Sequence, residues 1–271
     1  MKRLILVFLL AAITSAQSPP RFEVASIRPS NSADRRPFLN IEPGGRFVAR
    51  NFSVKRLMEW AYRIKDFQIS GAPGWMGSDL FDITAKPEGS ENADKPNLML
   101  QALLAERFQL VIRRETRELP VYALVVAKNG PKFKDASESD PNIIDLSKRP
   151  DLAGRGGRAR FTMIRRGRLT AQGGNMTLLV SELSSFLGRT VVDKTGLTGT
   201  YDLKLEWQPD ENQVAMFQAL GVPEGFGAPA ADPLGPSLFA ALEEQLGLRL
   251  DSQKGPVEMF AVERIEKPSE N

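Results

Sequence analysis

Apolar and polar positions along the chain follow one order of segments, and that order is found twice. A hairpin-like stretch at Pro37–Asn51 begins the first series, and a similar stretch at Arg160–Gln172 begins the second. In each series the pattern then predicts a helix, two strands, a second helix and two further strands. Leu119-Pro120 near the end of the first series corresponds to Gly255-Pro256 in the second. This self-similarity predicts an α+β fold of two tandem repeats, each a two-helix, mixed-sheet unit.

Polar and glycine residues mark the predicted helix ends. Ser53 and Thr177 each precede a run of apolar residues at helical spacing, where a hydroxyl can accept from a free amide of the first turn. Gly247 follows the second helix of the second series and is expected to end it in a left-handed conformation. These three residues therefore predict three helix ends that a structure can test.

Strands with one buried face are predicted between the helices. Tyr201, Leu203 and Leu205 alternate with charged residues, which is the period of a strand with one face in a core. A second strand is predicted at Leu80–Ala85. Phe22–Ile27 is predicted as an extra strand that precedes the first series.

Composition predicts how the chain is divided. Residues 135–158 are polar and rich in glycine, proline and charge, which is typical of a linker. A glycine- and proline-rich insertion occurs only in the second series, with a short helix predicted at Val214–Leu220 and disorder favoured for the rest. The predicted divisions are a signal peptide at 1–16, a first unit at 21–134, a linker at 135–158, and a second unit at 159–268 with its insertion at 209–236.

The N-terminal residues have the composition of an export signal. Lys2 and Arg3 are its charged region, Leu4–Ile13 is an unbroken apolar run, and small residues follow at Thr14–Ala16. A membrane span needs roughly 20 apolar residues, so this run is too short for an anchor, and no later segment is long enough. The mature protein is therefore expected to be periplasmic or secreted, without a transmembrane span. It has no cysteine, so its stability must come from apolar burial.

Basic residues are concentrated near the end of the predicted linker. Without Lys2 and Arg3 the chain has 34 basic and 33 acidic residues, so the mature protein is nearly neutral. Residues 148–168 nevertheless contain eight lysines and arginines against one aspartate. Clustered arginines attract phosphate or sulfate groups, and a solvated linker is the alternative interpretation. The candidate anion-binding residues are Arg155, Arg158, Arg160, Arg165, Arg166 and Arg168.

The residue set excludes several classes of enzyme. The chain has no histidine and no cysteine, which excludes Ser-His-Asp and thiolate nucleophiles and metal sites built from those residues. Carboxylate catalysis stays open. Its candidates are Asp82 and Asp202 at equivalent strand starts, with Glu23, Glu206, Glu243 and Glu244. Trp75, in a glycine-rich turn, is the one aromatic residue whose burial is not predicted.

Two short motifs are interpreted as structural. Lys194-Thr195-Gly196 matches a motif of serine β-lactam enzymes, but the S-x-x-K motif that those enzymes also need is absent. A turn between two strands accounts for it. The Gly154–Arg160 tract partly matches a dinucleotide fingerprint without the strand and helix that the fingerprint requires. The sequence therefore assigns no catalytic, cofactor-binding or metal-binding residue.

Several motifs occur in a fixed order along the mature chain. They include FEVASIRPS, NFSVKRLMEWAY, GAPGWMGSDLFDI, LPVYALVVAKNGPK, VVDKTGLTGTYDL and GPVEMFAVERIEKPSEN. In these motifs the chain resembles an uncharacterised exported family that is expanded in acidobacteria and other soil bacteria. Some relatives in that family are joined to membrane metallopeptidases, which implies a sensing or partner-binding role in the cell envelope. Each half more distantly resembles the short N-terminal domain of secretins and TonB-dependent receptors, which binds protein partners.

The leading hypothesis is an exported, non-enzymatic binding protein whose partner is an envelope protein or polymer. No cytoplasmic nucleic acid is expected as a partner, and no cofactor. Recognition would use an exposed strand edge, the arginine-rich linker or the cleft between the two units. One alternative is a carboxylate-dependent hydrolase that acts on envelope or soil polysaccharide, and another is polyanion binding through the arginines.

Overall fold

The computed structural model describes residues 19–32, 36–89, 92–136, 161–219 and 235–268, so the predicted signal peptide lies outside the described residues. The described part of the first half, 19–136, forms seven strands and three α-helices. Strands β1 to β7 span Phe22–Pro29, Phe38–Ile41, Phe47–Ser53, Ile69–Ser70, Leu80–Pro87, Val111–Val126 and Lys134–Asp135. Helices α1 to α3 span Val54–Tyr62, Trp75–Ser78 and Pro96–Arg107.

The described part of the second half, 161–268, follows a similar order. Strands β8 to β12 span Phe161–Arg165, Arg168–Gly174, Val191–Asp193, Tyr201–Glu206 and Leu248–Arg264. Helices α4 to α6 span Met176–Leu187, Glu211–Ala219 and Leu238–Ala241, and α6 continues into a π-helical turn at Leu242–Leu246. The described residues therefore have the mixed α+β composition that the sequence predicts.

Two of the three sheets are antiparallel and lie towards opposite ends of the chain. The first has strand order β1-β5-β3-β2, and the second has the order β7-β11-β9-β8. Each sheet has a register shift, after Ala49 in β3 and after Tyr201 in β11. At these irregularities the backbone of Asn51 and that of Gly173 take positive φ values of 56° and 62°. Both sheets are therefore bulged next to the start of a helix.

The third sheet, here called the central sheet, joins the two halves. Its strand order is β10-β6-β12-β4. Strands β6 and β12 form a long antiparallel ladder in which Leu119 is the partner of Gly255. Strand β10 runs parallel to β6 from Val191 beside Tyr122, and β4 runs parallel to β12 from Ile69 beside Phe260. Each half thus contributes a short strand to the long strand of the other half.

Two hydrophobic cores lie on the central sheet. The first core packs α1 and α3 against the first sheet, and it also contains Phe260 of β12. The second core packs α4 and the α6 region against the second sheet, and it also contains Leu124 of β6. Leu57 of α1 and Leu179 of α4 are both fully buried, each in its own core. The two cores are therefore separate clusters that share the two long strands.

The helix ends agree with the prediction at two of three residues. The Ser53 hydroxyl accepts from the amide of Arg56, so the predicted cap of α1 is confirmed. The prediction for Thr177 is wrong, because Thr177 lies inside α4 and the side chain of Asn175 accepts from the amide of Leu178. An asparagine oxygen caps as well as a hydroxyl does, and the sequence offers both within three residues. Gly247 ends the π-helical turn with φ 64°, as predicted.

The strand prediction is corrected at the end of each series. Two strands are predicted there, but Val111–Val126 and Leu248–Arg264 are each one continuous strand. The sequence pattern predicts that each of these strands is interrupted at its proline, Pro120 or Pro256. Around both prolines, β6 and β12 pair only with each other among the described strands. A proline is tolerated there because the outer side of each strand is unpaired. The extra strand at Phe22–Ile27 is confirmed and extends to Pro29.

The start of the predicted insertion is folded. Helix α5 begins after Asp210, whose carboxylate accepts from the amide of Gln213 at 2.8 Å. The Gln213 side chain in turn accepts from the indole of Trp207 at 2.9 Å, and Phe217 is fully buried in the second core. Residues 209–219 therefore belong to the second core, and residues 220–234 lie outside the described residues. Within the described ranges no helix has the length and apolar character that a membrane span requires.

Candidate functional site

The ladder of β6 and β12 exposes the middle of one of its faces. Cross-strand partners share a face and successive residues alternate, so the even-numbered residues of both strands lie together. The two cores cover the ends of this face, at Phe260 and at Leu124. Between these ends Tyr122 is half-buried, and the other even-numbered residues are exposed: Thr116, Glu118, Pro120, Ser252, Lys254, Pro256 and Glu258. This exposed surface between the two cores is here called the central cleft.

An arginine and two aromatic rings form the corner of the central cleft beside the first core. The Arg114 guanidinium lies 5.2 Å from the ring centroid of Phe260, which is its cross-strand partner. The ring of Tyr62, at the end of α1, packs on Phe260 at 5.8 Å. Arg114 also forms an ion pair with Glu258 at 3.7 Å. The positive charge of this first corner is therefore matched by a carboxylate of the cleft floor.

A second arginine and two more aromatic rings form the corner beside the second core. The Arg189 guanidinium lies 4.8 Å from the ring centroid of Tyr122. Phe239, at the start of α6, forms a T-shaped pair with the same ring at a centroid distance of 5.5 Å and is 43% exposed. The backbone holds this corner in place, because the amide of Tyr122 donates to the carbonyl of Thr190 at 2.9 Å. The arginine, the tyrosine and an exposed apolar ring thus form one surface.

Ionisable groups of both halves interact near the end of α1. Burial raises the pKa of Glu59 to about 7, and the charge of Asp66 adds to that rise. Burial also raises the pKa of Glu182 on α4. Lys65 opposes both shifts, so one cation of the first half acts on a carboxylate of each half. Asp66 itself is ion-paired with Lys55.

Few of the predicted anion-binding residues are described. Arg155, Arg158 and Arg160 lie outside the described residues, and only the backbone of Arg165 is described, at the end of β8. Arg166 is half-buried in the turn between β8 and β9.

Arg168, in β9, forms an ion pair with Glu206 at 3.0 Å. Lys204 contacts the same carboxylate at 3.1 Å. Two cations therefore share one carboxylate at the end of β11.

The two aspartates considered as catalytic candidates have equivalent structural contacts. Asp82 accepts a hydrogen bond from the backbone amide of Asn51 at 3.0 Å, and Asp202 accepts one from the amide of Gly173 at 2.9 Å. Both donors are the left-handed residues of the strand irregularities. Each carboxylate thus accepts a hydrogen bond from a backbone amide at the point where the ladder is irregular. These contacts give both aspartates a role in the fold.

The remaining carboxylate candidates do not converge. Glu23 pairs with Lys86 at 3.4 Å on the first sheet, whereas Glu206 pairs with Arg168 on the second. Glu243 and Glu244 are exposed on the π-helical turn. A depression of about 340 Å³ lies between Gly71 and the end of β12, and none of the predicted carboxylates lines it. In the described part of the chain, no group of three or more acidic residues could hold a metal ion.

Trp75 and the Lys-Thr-Gly motif both have structural contacts. Lys267 lies 5.6 Å from the centroid of the Trp75 ring and forms an ion pair with Asp79 at 2.7 Å, so the C-terminal segment is attached to α2. Between β10 and β11, Asp193 accepts from both the amide and the hydroxyl of Thr195. The motif is therefore a turn between two strands, as predicted.

Sequence reasoning named the cleft between the units but none of its residues. Arg114 and Arg189 were missed because single arginines in polar stretches carry no spacing signal. One sequence signal was available: in residues 116–120 and 252–256 apolar alternation stops within segments that are otherwise strands. An exposed stretch in the middle of a long strand would have placed the cleft floor.

One comparison with known proteins found a match. A family model described as a protein of unknown function (DUF3738) matches residues 55–265, most of the chain. No curated protein and no solved structure matches it.

Proposed function

We propose, on the premise that the chain belongs to the DUF3738 family, that it is a non-enzymatic binding protein of the cell envelope. Its partner would be an envelope protein or polymer that enters the central cleft. The observation that carries this proposal is the exposed floor between two cores, with an arginine and aromatic rings at each end. Aromatic residues and arginine are the side chains that contribute most binding energy at protein interfaces.

A matched pair of substitutions tests the cleft as the binding surface. Thr116 and Gln253 are both exposed on the central ladder, on opposite faces. We expect Thr116→Trp to obstruct the cleft and abolish capture of a partner from a solubilised envelope extract, whereas Gln253→Trp leaves capture unchanged. Equal capture by both variants, with both folded by circular dichroism, would refute the cleft.

We also propose export through the N-terminal segment. The support is the charged, apolar and small-residue order of residues 1–16. Expression of the full chain with N-terminal sequencing of the periplasmic and culture fractions tests it. The expected product begins at Gln17, and an intact N-terminus in the cytoplasmic fraction alone contradicts export.

We propose further that the chain arose by duplication of one unit, related to the short N-terminal domain of secretins and TonB-dependent receptors. Three matched features support the duplication. Asp82 and Asp202 accept the amide of a left-handed residue at the same place in each half. Strand β4 pairs in parallel with β12 and β10 pairs in parallel with β6, and Leu119 pairs with Gly255. A solved structure in which the halves superpose only by chance would refute it.

A carboxylate-dependent hydrolase is the second candidate function. The observation that favours it is Glu59, whose pKa of about 7 would suit a general acid, with Asp66 among the groups that raise that pKa. Glu59→Gln and Asp66→Asn should each abolish hydrolysis of a bacterial cell-wall or plant polysaccharide if this function is correct. Absence of any release of reducing sugar by the unaltered protein would dismiss it.

Polyanion binding through the arginines is the third candidate. It is favoured by the two cations, Arg168 and Lys204, that share the single carboxylate of Glu206. Retention on a heparin-like resin should fall steeply with salt and be lost when Arg155, Arg158 and Arg160 are replaced by alanine. Unchanged retention of that variant would dismiss the arginine tract.

A further inference from the structure

We propose that the second corner of the central cleft binds a carboxylate of an acidic polypeptide, an inference that rests on the proposed function. Arg189, Tyr122 and Phe239 form this corner. The partner segment would be extended, with an apolar side chain next to the acidic one. The argument has three steps: the charge state of the two corners, the organisation of Arg189, and the shape of the floor.

The two corners of the cleft differ in charge although both have a stacked arginine. Arg114 in the first corner is ion-paired with Glu258 at 3.7 Å. Arg189 in the second corner has no ion-pair partner among the residues that the structure describes. Lys254 lies on the same face, two residues from Ser252, the cross-strand partner of Tyr122. The second corner therefore presents cations to the cleft, which favours an anionic ligand group there.

Arg189 is organised to bind a planar anion. Its guanidinium stacks on Tyr122, and a stacked guanidinium keeps the N–H groups of its edge available for two parallel hydrogen bonds to a carboxylate. The backbone amide of Arg189 donates to the carbonyl of Ser184 at 3.3 Å at the end of α4. The next residue, Thr190, accepts from the amide of Tyr122. Both contacts fix the position of the arginine relative to the ring before a ligand arrives.

The surroundings of Arg189 favour a polypeptide over a polysaccharide. Arg189 lies over the Tyr122 ring and Phe239 packs against the same ring at a centroid distance of 5.5 Å, so side chains of the protein itself already occupy part of the aromatic surface on which a sugar would stack. Phe239 is 43% exposed and can cover an aliphatic or aromatic side chain. The floor is a two-stranded surface about five residues long between the cores, which fits an extended chain.

Fluorescence anisotropy of the full chain with a labelled hexapeptide that alternates glutamate with leucine tests this proposal. We expect the unaltered protein to bind the peptide, Arg189→Gln to bind at least about tenfold more weakly, and Phe239→Ser to bind several-fold more weakly. Arg56→Gln is the matched control, because it removes an arginine that lies 5.5 Å from the ring centroid of Phe52 on α1, outside the cleft, and its affinity should stay within about twofold. A hexapeptide that alternates lysine with leucine should not bind.

Three results would overturn the proposal. They are no binding of the acidic peptide to the unaltered protein, equal loss of affinity in Arg189→Gln and Arg56→Gln, and tighter Arg189-dependent binding of an acidic oligosaccharide than of the peptide. Thermal unfolding of each variant shows whether a loss of affinity is a loss of fold. If the peptide fails but Thr116→Trp still abolishes capture of an envelope partner, the cleft stands as the binding surface and only the partner's chemistry is wrong.

Discussion

Leu119 and Gly255 are cross-strand partners in the ladder of β6 and β12, and they also correspond to each other in the two series of the sequence. If equivalent residues of two units pair with each other, a two-fold axis relating those units passes between them. The short strands β4 and β10 add to the two sides of the same ladder. This pairing explains how the halves can each have a core and still form one central sheet.

Gly247 should be the glycine least tolerant of substitution at a helix end. It has φ 64°, and a Cβ atom there would lie 2.0 Å from the carbonyl oxygen of Gly130. We expect Gly247→Ala to lower the free energy of unfolding by more than about 2 kcal/mol, measured by urea denaturation. Gly188→Ala is the control, because Gly188 has φ 56° but nothing within 4 Å, and about 1 kcal/mol is expected. Equal losses would show that the contact with Gly130 is unimportant.

Asp82 and Asp202 should contribute to stability by similar amounts. Replacement of either by alanine leaves a backbone amide without its acceptor, so each variant should lose about 1 to 3 kcal/mol. Asp251→Ala removes an exposed carboxylate that pairs with Arg249, so its effect on stability should be much smaller. Denaturation of all three variants in urea provides the measurement. If neither replacement changes the free energy of unfolding, Asp82 and Asp202 have a role other than stabilising the fold.

Glu59 should make the protein less stable as the pH rises. Its folded-state pKa of about 7 lies above its ordinary value of 4.5, so folding favours the protonated acid. This stabilisation is complete below pH 4.5 and is lost as the pH rises through 7. Relative to Glu59→Gln, we expect the unaltered protein to lose about 2 kcal/mol between pH 5 and pH 8, allowing for partial exposure. Urea denaturation at both pH values measures this, with the exposed Glu243→Gln as the control.

If the unaltered protein and Glu59→Gln have the same pH profile, the environment of Glu59 is more solvated than its burial indicates. The groups that act on Glu59 would then be the next to replace. They are Lys55, Arg56, Lys65 and Asp66.

Lys267 should hold the C-terminal segment against α2 over the neutral pH range. Its ion pair lowers the pKa of Asp79, so the contact persists until the pH falls below the ordinary aspartate value of 3.8. We expect Lys267→Met to expose Trp75 at pH 7, measured as stronger quenching of tryptophan fluorescence by acrylamide. Lys204→Met, which removes an exposed lysine elsewhere, should leave quenching unchanged. No difference between the two variants would mean that Lys267 does not cover Trp75.

Phe217 should be essential to the second core although it lies in the predicted insertion. It is fully buried, with its ring 5.7 Å from that of Phe186. Phe217→Ala should cost about 3 to 5 kcal/mol, whereas Phe38→Ala, at a ring that is 52% exposed, should cost much less. Thermal unfolding compares the two. A small loss at Phe217 would show that α5 can detach without disturbing the core.

The sequence predicted where the helices and strands lie better than it predicted which of them pair. Helical spacing placed α1 and α4, and Ser53 and Gly247 marked two helix ends, because these signals depend on neighbouring residues. The pairing of Val191 with Tyr122, or of Ile69 with Phe260, depends on residues far apart in the chain and leaves no local pattern. Pro120 misled the strand prediction because the pattern cannot show whether a proline nitrogen faces a neighbouring strand.

The candidate site was predicted less well for the same reason. Its two arginines become neighbours of aromatic rings only through the tertiary fold, as when Arg189, which follows α4, meets Tyr122 of β6. Composition excludes histidine and cysteine chemistry, because the chain has neither residue. It could not show that Asp82 and Asp202 accept backbone amides, since that role depends on irregularities in β3 and β9.

The sharing of β6 and β12 has a consequence for the order in which the protein can mature. Phe47 is among the earliest residues of the first core to be synthesised, yet Phe260, a buried member of the same core, follows more than 200 residues later. The first core therefore stays incomplete until Phe260 has been synthesised. The N-terminal half cannot close its own core before that strand arrives.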